Sequence, residues 1–192
     1  MEFEKFRELL RADRSIRRFD ENKRIDESVL KKLVELMRYC SSGRNLQPLR
    51  YRIVSSADEC EKVFPALKWA GYLTDWDGPK EGERPTGYLV QCLDTDLTRN
   101  LLCDDGIQLQ ALTLGAQTLG IGGCIIKSFN VDIIQKGLHI PENMKPLYVL
   151  ALGYPVEKVV IEDIANGDIK YWRDPESVHH VPKRELSELI IS

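Results

Sequence analysis

Three short, irregular segments concentrate cations and amide side chains, and they lie far apart in the sequence: residues 14–17, 41–47 and 180–184. A phosphate monoester dianion is bound best by guanidinium groups, hydroxyls and main-chain N–H groups acting together. The side chains that supply this inventory are Arg14, Ser15, Arg17, Lys183 and Arg184. These residue types indicate an anionic ligand, provided that the fold brings the segments together.

Asn45 and Gln47 carry amides that both donate and accept hydrogen bonds. Such amides suit a heterocycle edge with alternating C=O and N–H groups, for example the pyrimidine end of a flavin. An alternative stands beside each feature, because polar residues before Pro48 are also typical of a turn and a single arginine in a loop is usually solvated. From its residues alone, the chain is a soluble α+β protein that could hold an anionic ligand.

The thiols and imidazoles show no metal or disulfide pattern. The chain has 5 cysteines, an odd number, and no pair of them has CxxC spacing. His139, His179 and His180 are the only histidines, and their spacing does not match a zinc site. We therefore expect reduced thiols, no metal and a cytoplasmic protein.

Composition is that of an ordinary globular protein. Of 192 residues, 43% are hydrophobic and 30% charged, and the net charge is −3. Basic and acidic residues are interspersed, which argues against nucleic acid as a partner. The length fits one domain over residues 1–192, and the charged start of the chain lacks the apolar region of a secretory signal.

The elements that must position the candidate residues follow from periodicity and turn signals. Helices are predicted over residues 2–10, from Asp26 or Ser28 to about Met37, and over residues 58–67, 107–119 and 131–137. Strands are predicted over residues 51–54, 88–93, 123–126 and 147–152. Residues 14–19 are a basic loop, residues 41–48 a helix break, residues 71–85 a surface excursion and residues 157–192 a charged tail.

The uncharged stretch over residues 106–126 is the one segment that resembles a membrane span. Glutamines and glycines interrupt it, so we expect a buried helix over residues 107–119 and no membrane partner. Asp104 and Asp105 stand where this helix begins and could cap its free N–H groups. The overall pattern predicts the α+β class with mixed strand connections.

These motifs resemble, in order and spacing, those of the nitroreductase family. Residues 14–19 look like its N-terminal flavin-phosphate motif and residues 42–48 like its second flavin motif. Residues 105–122 are similar to its central helix and following turn, residues 150–155 to its last core strand, and residues 181–184 to its C-terminal basic segment. Each match alone is weak, but five in order cover nearly the whole chain.

The resemblance implies a mixed sheet flanked by helices, in an intertwined homodimer with FMN at the interface. In such a dimer a second subunit would cover the uncharged helix, and an exchanged tail would carry cofactor ligands. Arg14 and Ser15 would approach the phosphate and ribityl chain, joined by Lys183 or Arg184, and Arg17 would lie near flavin N1 and O2. A cation there stabilises the charge of the reduced ring.

The remaining implied cofactor-binding residues come from the second motif and the third strand. Asn45 and Gln47 would bond the ring edge, and a main-chain N–H would meet flavin N5. The full set from these two segments is Ser42, Gly43, Arg44, Asn45, Gln47, Ile126, Lys127 and Ser128. No side chain is required as a general acid or base, so no catalytic residue is assigned.

The implied activity is hydride transfer from NADH or NADPH through FMN to a nitroaromatic, a quinone or a similar small oxidant. Alternatives are a specialised flavoenzyme on the same fold (a reductive dehalogenase or a flavin-cleaving enzyme), a flavin-storage protein with little turnover, and an anion-binding module without flavin. No GxGxxG motif follows a strand, which argues against a dinucleotide-binding fold but not against a transient nicotinamide donor.

Two departures leave the choice of substrate open. Leu49 stands where a common family pattern has an aromatic residue, and the chain is short over residues 54–88. Three aromatic residues in that stretch would either line the cleft or pack in the core or dimer interface: Trp69, Tyr72 and Trp76. Cys40 and Cys124 lie beside flavin motifs, where a role as small buried hydrophobes is favoured over a redox role.

Overall fold

The computed structural model describes residues 1–191. Its helices are α1 (Phe3–Ala12), α2 (Glu27–Glu35), α3 (Ala57–Val63), α4 (Asp104–Thr118), α5 (Val131–Gly137) and α6 (Leu186–Leu189). Its strands are β1 (Leu49–Val54), β2 (Gly87–Asp94), β3 (Gly122–Ile126), β4 (Met144–Gly153), β5 (Val159–Asp163), β6 (Trp172–Arg173) and β7 (His179–Lys183). The predicted α+β class and the elements predicted before residue 154 are confirmed, with ends that differ by a few residues.

The central sheet has the strand order β1-β2-β4-β3, and all of its neighbouring strands are antiparallel. Every residue of β2 is buried, because helices cover both faces. Leu30 of α2 and Leu112 of α4 belong to the core on one face, and Val63 of α3 and Ile134 of α5 belong to the core on the other. This arrangement leaves β1 and β3 as the two edge strands.

Short polar side chains begin two of the helices on the sheet, and the sequence predicted the one at Asp26. The carboxylate of Asp26 accepts a hydrogen bond from the Ser28 N–H, and the amide oxygen of Asn130 accepts one from the Ile133 N–H. These N-caps satisfy main-chain donors that have no partner inside the helix. They fix where α2 and α5 begin and therefore which of their residues face the sheet.

The start of α4 differs from the prediction. The helix begins at Asp104, and its N-cap residue Cys103 makes no side-chain cap. Asp104 instead accepts a hydrogen bond from the Gly43 N–H at 2.9 Å, so it fixes the second motif rather than its own helix. Leu112 is 0% exposed, which shows that this chain alone covers one side of α4. Neither α4 nor any other helix in residues 1–191 could span a membrane.

The tail forms a second, smaller sheet, which we call the tail sheet, with the strand order β5-β7-β6. β5 and β7 are parallel, so parallel strand pairing occurs here rather than in the central sheet. The sequence had indicated only a charged tail over residues 157–192, without strands. The tail sheet lies against the basic loop of its own chain, where the Val156 N–H donates to the Arg18 carbonyl at 3.0 Å.

Candidate functional site

The basic loop is attached to the free edge of β3. Ser15 forms a parallel bridge with Gly123, and the Ile16 N–H donates to the Gly123 carbonyl at 2.9 Å. An edge strand offers main-chain N–H and C=O groups that no other strand uses. The loop uses part of this edge and leaves the residues after Gly123 available to a ligand.

Two glycines let the loop approach the sheet this closely. A Cβ atom at Gly122 would lie 2.7 Å from the side chain of Ile16, and one at Gly153 would lie 2.6 Å from the ring of Phe19. Both contacts are shorter than side chains allow. The position of the loop thus depends on the absence of side chains at residues 122 and 153.

A first cavity, the Arg14 cavity, has a volume of about 160 Å³ and is lined by Arg14, Ser15, Gln110 and Thr113 among others. The Arg14 guanidinium donates to the Leu10 carbonyl at 2.9 Å, but its Nε is buried and has no partner in the part of the chain that the structure describes. A buried donor without a partner costs free energy unless a ligand or water satisfies it. The cavity therefore suits an anionic group beside Ser15.

Asp13 adds a negative charge to the same cavity. Its carboxylate accepts hydrogen bonds from Gln110 and Thr113, each at 2.7 Å. Both donors are neutral, so they bond the Asp13 carboxylate without neutralising its negative charge. An anionic ligand here would be attracted by Arg14 and repelled by Asp13.

A second cavity, the β3-edge cavity, has a volume of about 280 Å³. Arg17 and Trp69 line it together with the main-chain segment of Ile126, Lys127 and Ser128. Ile125 lines both cavities, so the two adjoin along β3. The structure thus brings Arg14, Ser15 and Arg17 to the segment that was predicted to meet flavin N5.

Arg17 is buried, and its guanidinium is held by the tail sheet. Its Nη1 lies 3.2 Å from Nε2 of His179, and its Cζ lies 4.9 Å from the centre of the Tyr171 ring. A guanidinium only donates, so Nε2 of His179 accepts and the ring proton is on Nδ1. Burial and the positive charges of Arg17 and Arg173 lower the pKa of His179 to about 4, which keeps the imidazole neutral.

Glu157 joins the tail to the basic loop. Its side chain is 0% exposed and pairs with Arg173 at 2.8 Å. It also accepts main-chain hydrogen bonds from the N–H groups of Arg17 and Arg18. A buried carboxylate with three donors is strongly fixed, so Glu157 fixes the main chain at Arg17 and with it the direction of the Arg17 side chain.

The sequence did not reveal the roles of Glu157, Tyr171, Arg173 and His179. Each lies more than 130 residues from Arg17 along the chain, and none belongs to a recognised motif. The one available signal was the run Val159–Asp163, whose three apolar residues indicated a strand in the tail. Such a strand would have brought the neighbouring charges back to the domain.

The second motif has an unusual backbone. Arg44, Asn45 and Gln47 have φ values of 55°, 55° and 51°, in the left-handed region that non-glycine residues seldom adopt. A Cβ at Gly43 would lie 2.3 Å from Cδ1 of the exposed Leu102, so a larger residue here would displace the Leu102 side chain. Strained residues of this kind concentrate in ligand-binding segments.

Within one chain the second motif lies away from the first. Gly43 and Arg44 line a third cavity with Asp104, which shares no lining residue with the Arg14 and β3-edge cavities. Asp104 lines the third cavity and Thr113 lines the Arg14 cavity, and both lie on α4. Their separation of nine residues corresponds to roughly 13 Å along a helix. Ser42 accepts a hydrogen bond from the Gln47 N–H, and the amide of Gln47 donates to Asn45, so these side chains bond one another.

Lys183 and Arg184 are exposed where β7 ends. Arg184 pairs with Glu188 at 2.8 Å, and neither basic residue lines the Arg14 cavity. One chain alone therefore does not bring the C-terminal basic residues to Arg14.

The two thiols beside the motifs are buried to different degrees. Burial raises the pKa of Cys124, which lines the β3-edge cavity, and of the half-buried Cys40. A raised pKa lowers the thiolate fraction and with it the reactivity. This supports packing rather than redox chemistry for both residues.

A sequence model of one protein family and a distant relative both match this chain. The sequence model described as the nitroreductase family matches residues 10–76 and 96–154. An inferred NADH dehydrogenase/NAD(P)H nitroreductase of Methanothermobacter thermautotrophicus is 24% identical over 168 residues, covering 84% of this chain and 83% of that protein.

Two solved structures illustrate the similarity of the fold. The nitroreductase family protein of Streptococcus pneumoniae TIGR4 aligns with a TM-score of 0.70 at 17% identity, over 97% of this chain and 99% of that one. The NADPH:FMN oxidoreductase of Vibrio harveyi, solved in complex with NAD+, aligns with a TM-score of 0.63 at 22% identity, over 84% of this chain and 74% of that one.

Proposed function

This chain belongs to the nitroreductase family, and on that basis we propose that it binds FMN and transfers hydride from NADH or NADPH to a small oxidant. The observation that carries the proposal is the pair of adjoining cavities on the β3 edge, where Arg14 and Arg17 each have a buried Nε that bonds none of residues 1–191. Two unsatisfied guanidinium donors beside open main chain fit a cofactor that has both a phosphate and a polar ring edge.

Different residues of this chain would bind different parts of the cofactor along the β3 edge. Arg14 and Ser15 would hold the phosphate in the Arg14 cavity, and Arg17 would face the ring in the β3-edge cavity. When bound, FMN would supply the hydride chemistry at its N5 atom. The main chain over residues 126–128 would orient the ring, and the neutral His179 would leave the positive charge of Arg17 undiminished.

The second motif would complete the site from another protomer. We propose that Ser42, Gly43, Arg44, Asn45 and Gln47 reach the ring edge across the interface of a homodimer, and that Lys183 and Arg184 reach the phosphate in the same way. The separation of the third cavity from the other two in one chain supports this division. So does the exposure of Phe3 (73%) and Leu186 (71%), which a second copy would cover.

The first experiment is the absorption spectrum of the purified protein, followed by anaerobic titration with NADH and with NADPH. We expect flavin bands that bleach on titration and return when menadione or nitrofurazone is added. A protein with flavin bands but without turnover would be a storage protein. A protein that neither carries nor binds FMN would overturn the proposal.

The charges of the Arg14 cavity allow a paired test of the phosphate site. Arg14→Ala should weaken FMN binding by about 1.5–3 kcal/mol, the range for hydrogen bonds to charged groups. Asp13→Asn should tighten it, because the substitution removes the repulsion and keeps the shape. FMN fluorescence quenching measures both, and equal affinities in the two variants would exclude the phosphate from this cavity.

Mixing two inactive variants tests whether two chains share the site. Arg14→Ala and Gln47→Ala each damage both sites of a homodimer. A heterodimer formed from the two variants would regain one intact site if the motifs act across the interface, and none if they act within one chain. Multi-angle light scattering of the wild-type protein establishes whether a dimer is present.

A further inference from the structure

All of the charged side chains that line the β3-edge cavity are positive. Arg17, Lys68 and Lys127 line it, and no aspartate or glutamate is among its lining residues. The Arg14 cavity, in contrast, contains one cation and one anion, Arg14 and Asp13. The charge of the β3-edge cavity is therefore not a general feature of this surface.

None of these three cations has a carboxylate partner among residues 1–191. Arg17 contacts the neutral His179 and the Tyr171 ring, and Lys127 donates to the Tyr148 hydroxyl at 3.2 Å. Lys68 is exposed, and its ammonium forms no ion pair with a described residue. Each cation thus retains its charge toward the cavity.

The main chain determines that the two lysines lie together. Leu67 and Phe129 form an antiparallel bridge, and the Lys68 N–H donates to the Ser128 carbonyl at 3.0 Å. This pairing places Lys68 opposite Ser128 and next to Lys127. The lysines lie here because of hydrogen bonds near the end of β3, not because of flexible side chains alone.

Aromatic surfaces accompany the charge. Trp69 and Tyr171 line the same cavity, and Tyr171 also packs against Tyr72 with ring centres 5.0 Å apart. Flat aromatic walls favour a planar ligand, and uncompensated cations favour a negative one.

We propose that the oxidant is an anionic aromatic compound, with a carboxylate or sulfonate on a planar ring that carries the reducible group. This inference rests on the proposed function. Arg17 is assigned to the cofactor there, so Lys68 and Lys127 receive the anion. For a nitroarene, hydride from NAD(P)H and one proton break one N–O bond, giving the nitroso compound, water and the oxidised nicotinamide.

The competing explanation is that the lysines serve only the reduced flavin. In that case they would affect every oxidant equally. An isosteric pair of ligands separates the two explanations: 4-nitrobenzoate carries the negative charge, and 4-nitrobenzamide has the same shape without it.

The experiment uses FMN-loaded wild-type protein and the variants Lys68→Gln and Lys127→Gln. Lys145→Gln is the matched control, since Lys145 is exposed on β4 and lines neither the Arg14 nor the β3-edge cavity. Calorimetric binding of each compound to the oxidised protein is measured first, and then kcat/KM for each as oxidant.

We expect 4-nitrobenzoate to bind more tightly than 4-nitrobenzamide and the preference to weaken as salt is added. Lys68→Gln should reduce this preference by about fivefold, the upper end for an exposed ion pair. Lys127→Gln should reduce it less, because its ammonium is shared with Tyr148, and Lys145→Gln should leave it unchanged.

Equal binding of the two compounds by wild-type protein, or an equal preference in Lys68→Gln and Lys145→Gln, would overturn the inference. That result is distinct from failure of the proposed function, which would appear as absence of FMN or as no NAD(P)H oxidation with either compound.

Discussion

The central sheet is buried on both faces, whereas the tail sheet is mostly half-buried. β2 has no exposed residue, but only His179 in β7 is buried. The tail sheet is stabilised by specific polar pairs, such as Glu157 with Arg173, and by the stacking of Trp172 on His180, whose ring centres lie 4.1 Å apart. Apolar burial therefore stabilises the central sheet, and a small number of polar and aromatic contacts stabilise the tail sheet.

The candidate site lies where these two regions meet. Arg17 follows the loop residues that bond β3, and its guanidinium ends among residues of the tail. Damage to the central sheet should affect the whole protein, whereas damage to the tail contacts should affect the site and leave the domain folded.

The largest effect is expected in the core. Leu150 on β4 is 0% exposed, so Leu150→Ala should lower the free energy of unfolding by about 2–5 kcal/mol. Chemical denaturation measures the change. Ile169→Ala is the control, because this residue is 50% exposed and its loss should cost no more than about 0.5 kcal/mol. Equal losses in the two variants would contradict the assignment of the core.

The next effect concerns the buried pair that holds the tail. Glu157→Gln leaves Arg173 without its partner and should lower the local stability of the tail sheet by about 3 kcal/mol. Hydrogen exchange should become faster in β7 and stay unchanged in β2. The exposed Asp163→Asn serves as control. Faster exchange in both sheets would show that the two regions unfold together.

A smaller effect is expected at the junction itself. If Arg17 faces the flavin ring, Arg17→Gln removes a charge that stabilises the reduced cofactor. The midpoint potential of the FMN-saturated variant should fall by about 30 mV, equivalent to roughly 1.4 kcal/mol for two electrons. Dye-equilibration potentiometry measures it, with Arg18→Gln, whose partner is Glu83, as control. An unshifted potential with weakened binding would assign Arg17 to the phosphate.

The smallest effect depends on pH and lies within the tail sheet. His180 bonds Glu162 at 2.9 Å and Asp174 at 3.3 Å, and the hydrogen bond to Glu162 is the main reason why its pKa is raised. A raised pKa means that this stabilisation is complete below the ordinary value of about 6.5 and is lost as the pH rises through the raised pKa. The tail should therefore be cleaved by protease faster at about pH 8.5 than at about pH 6.

His180→Gln should abolish that alkaline loss. His179, the adjacent residue, acts in the opposite direction, since its pKa is lowered to about 4 and it destabilises the tail only on acidification. Proton NMR titration of the two imidazoles distinguishes them. A tail equally resistant to protease at both pH values would show that His180 does not hold it.

The sequence predicted what depends on apolar patterning and local turns. The strands β1 to β4 and the helix α2 follow from runs such as residues 147–152 and caps such as Asp26. The resemblance predicted that Arg17 and residues 126–128 share a site, and both line the β3-edge cavity. The role of these residues in binding a cofactor stays a prediction.

The tail sheet could not be predicted in the same way. Its stability depends on pairs such as Arg173 with Glu157 and His180 with Glu162, which periodicity does not detect. The start of α4 was also misassigned, because Asp104 bonds Gly43 across 61 positions instead of capping its own helix. Polar contacts between distant residues are invisible until the fold is known.

The contact between Phe19 and Gly153 limits how this protein can change. Because the ring occupies the space of any side chain at residue 153, the two positions cannot vary independently. In a library randomised at both, functional clones should keep glycine at 153 whenever an aromatic residue stays at 19. A larger residue at 153 should be rare even beside a small residue at 19, because the Cβ atom at 19 would still lie 2.8 Å from a Cβ atom at 153. Directed evolution of the site should therefore change residue 19 more readily than residue 153.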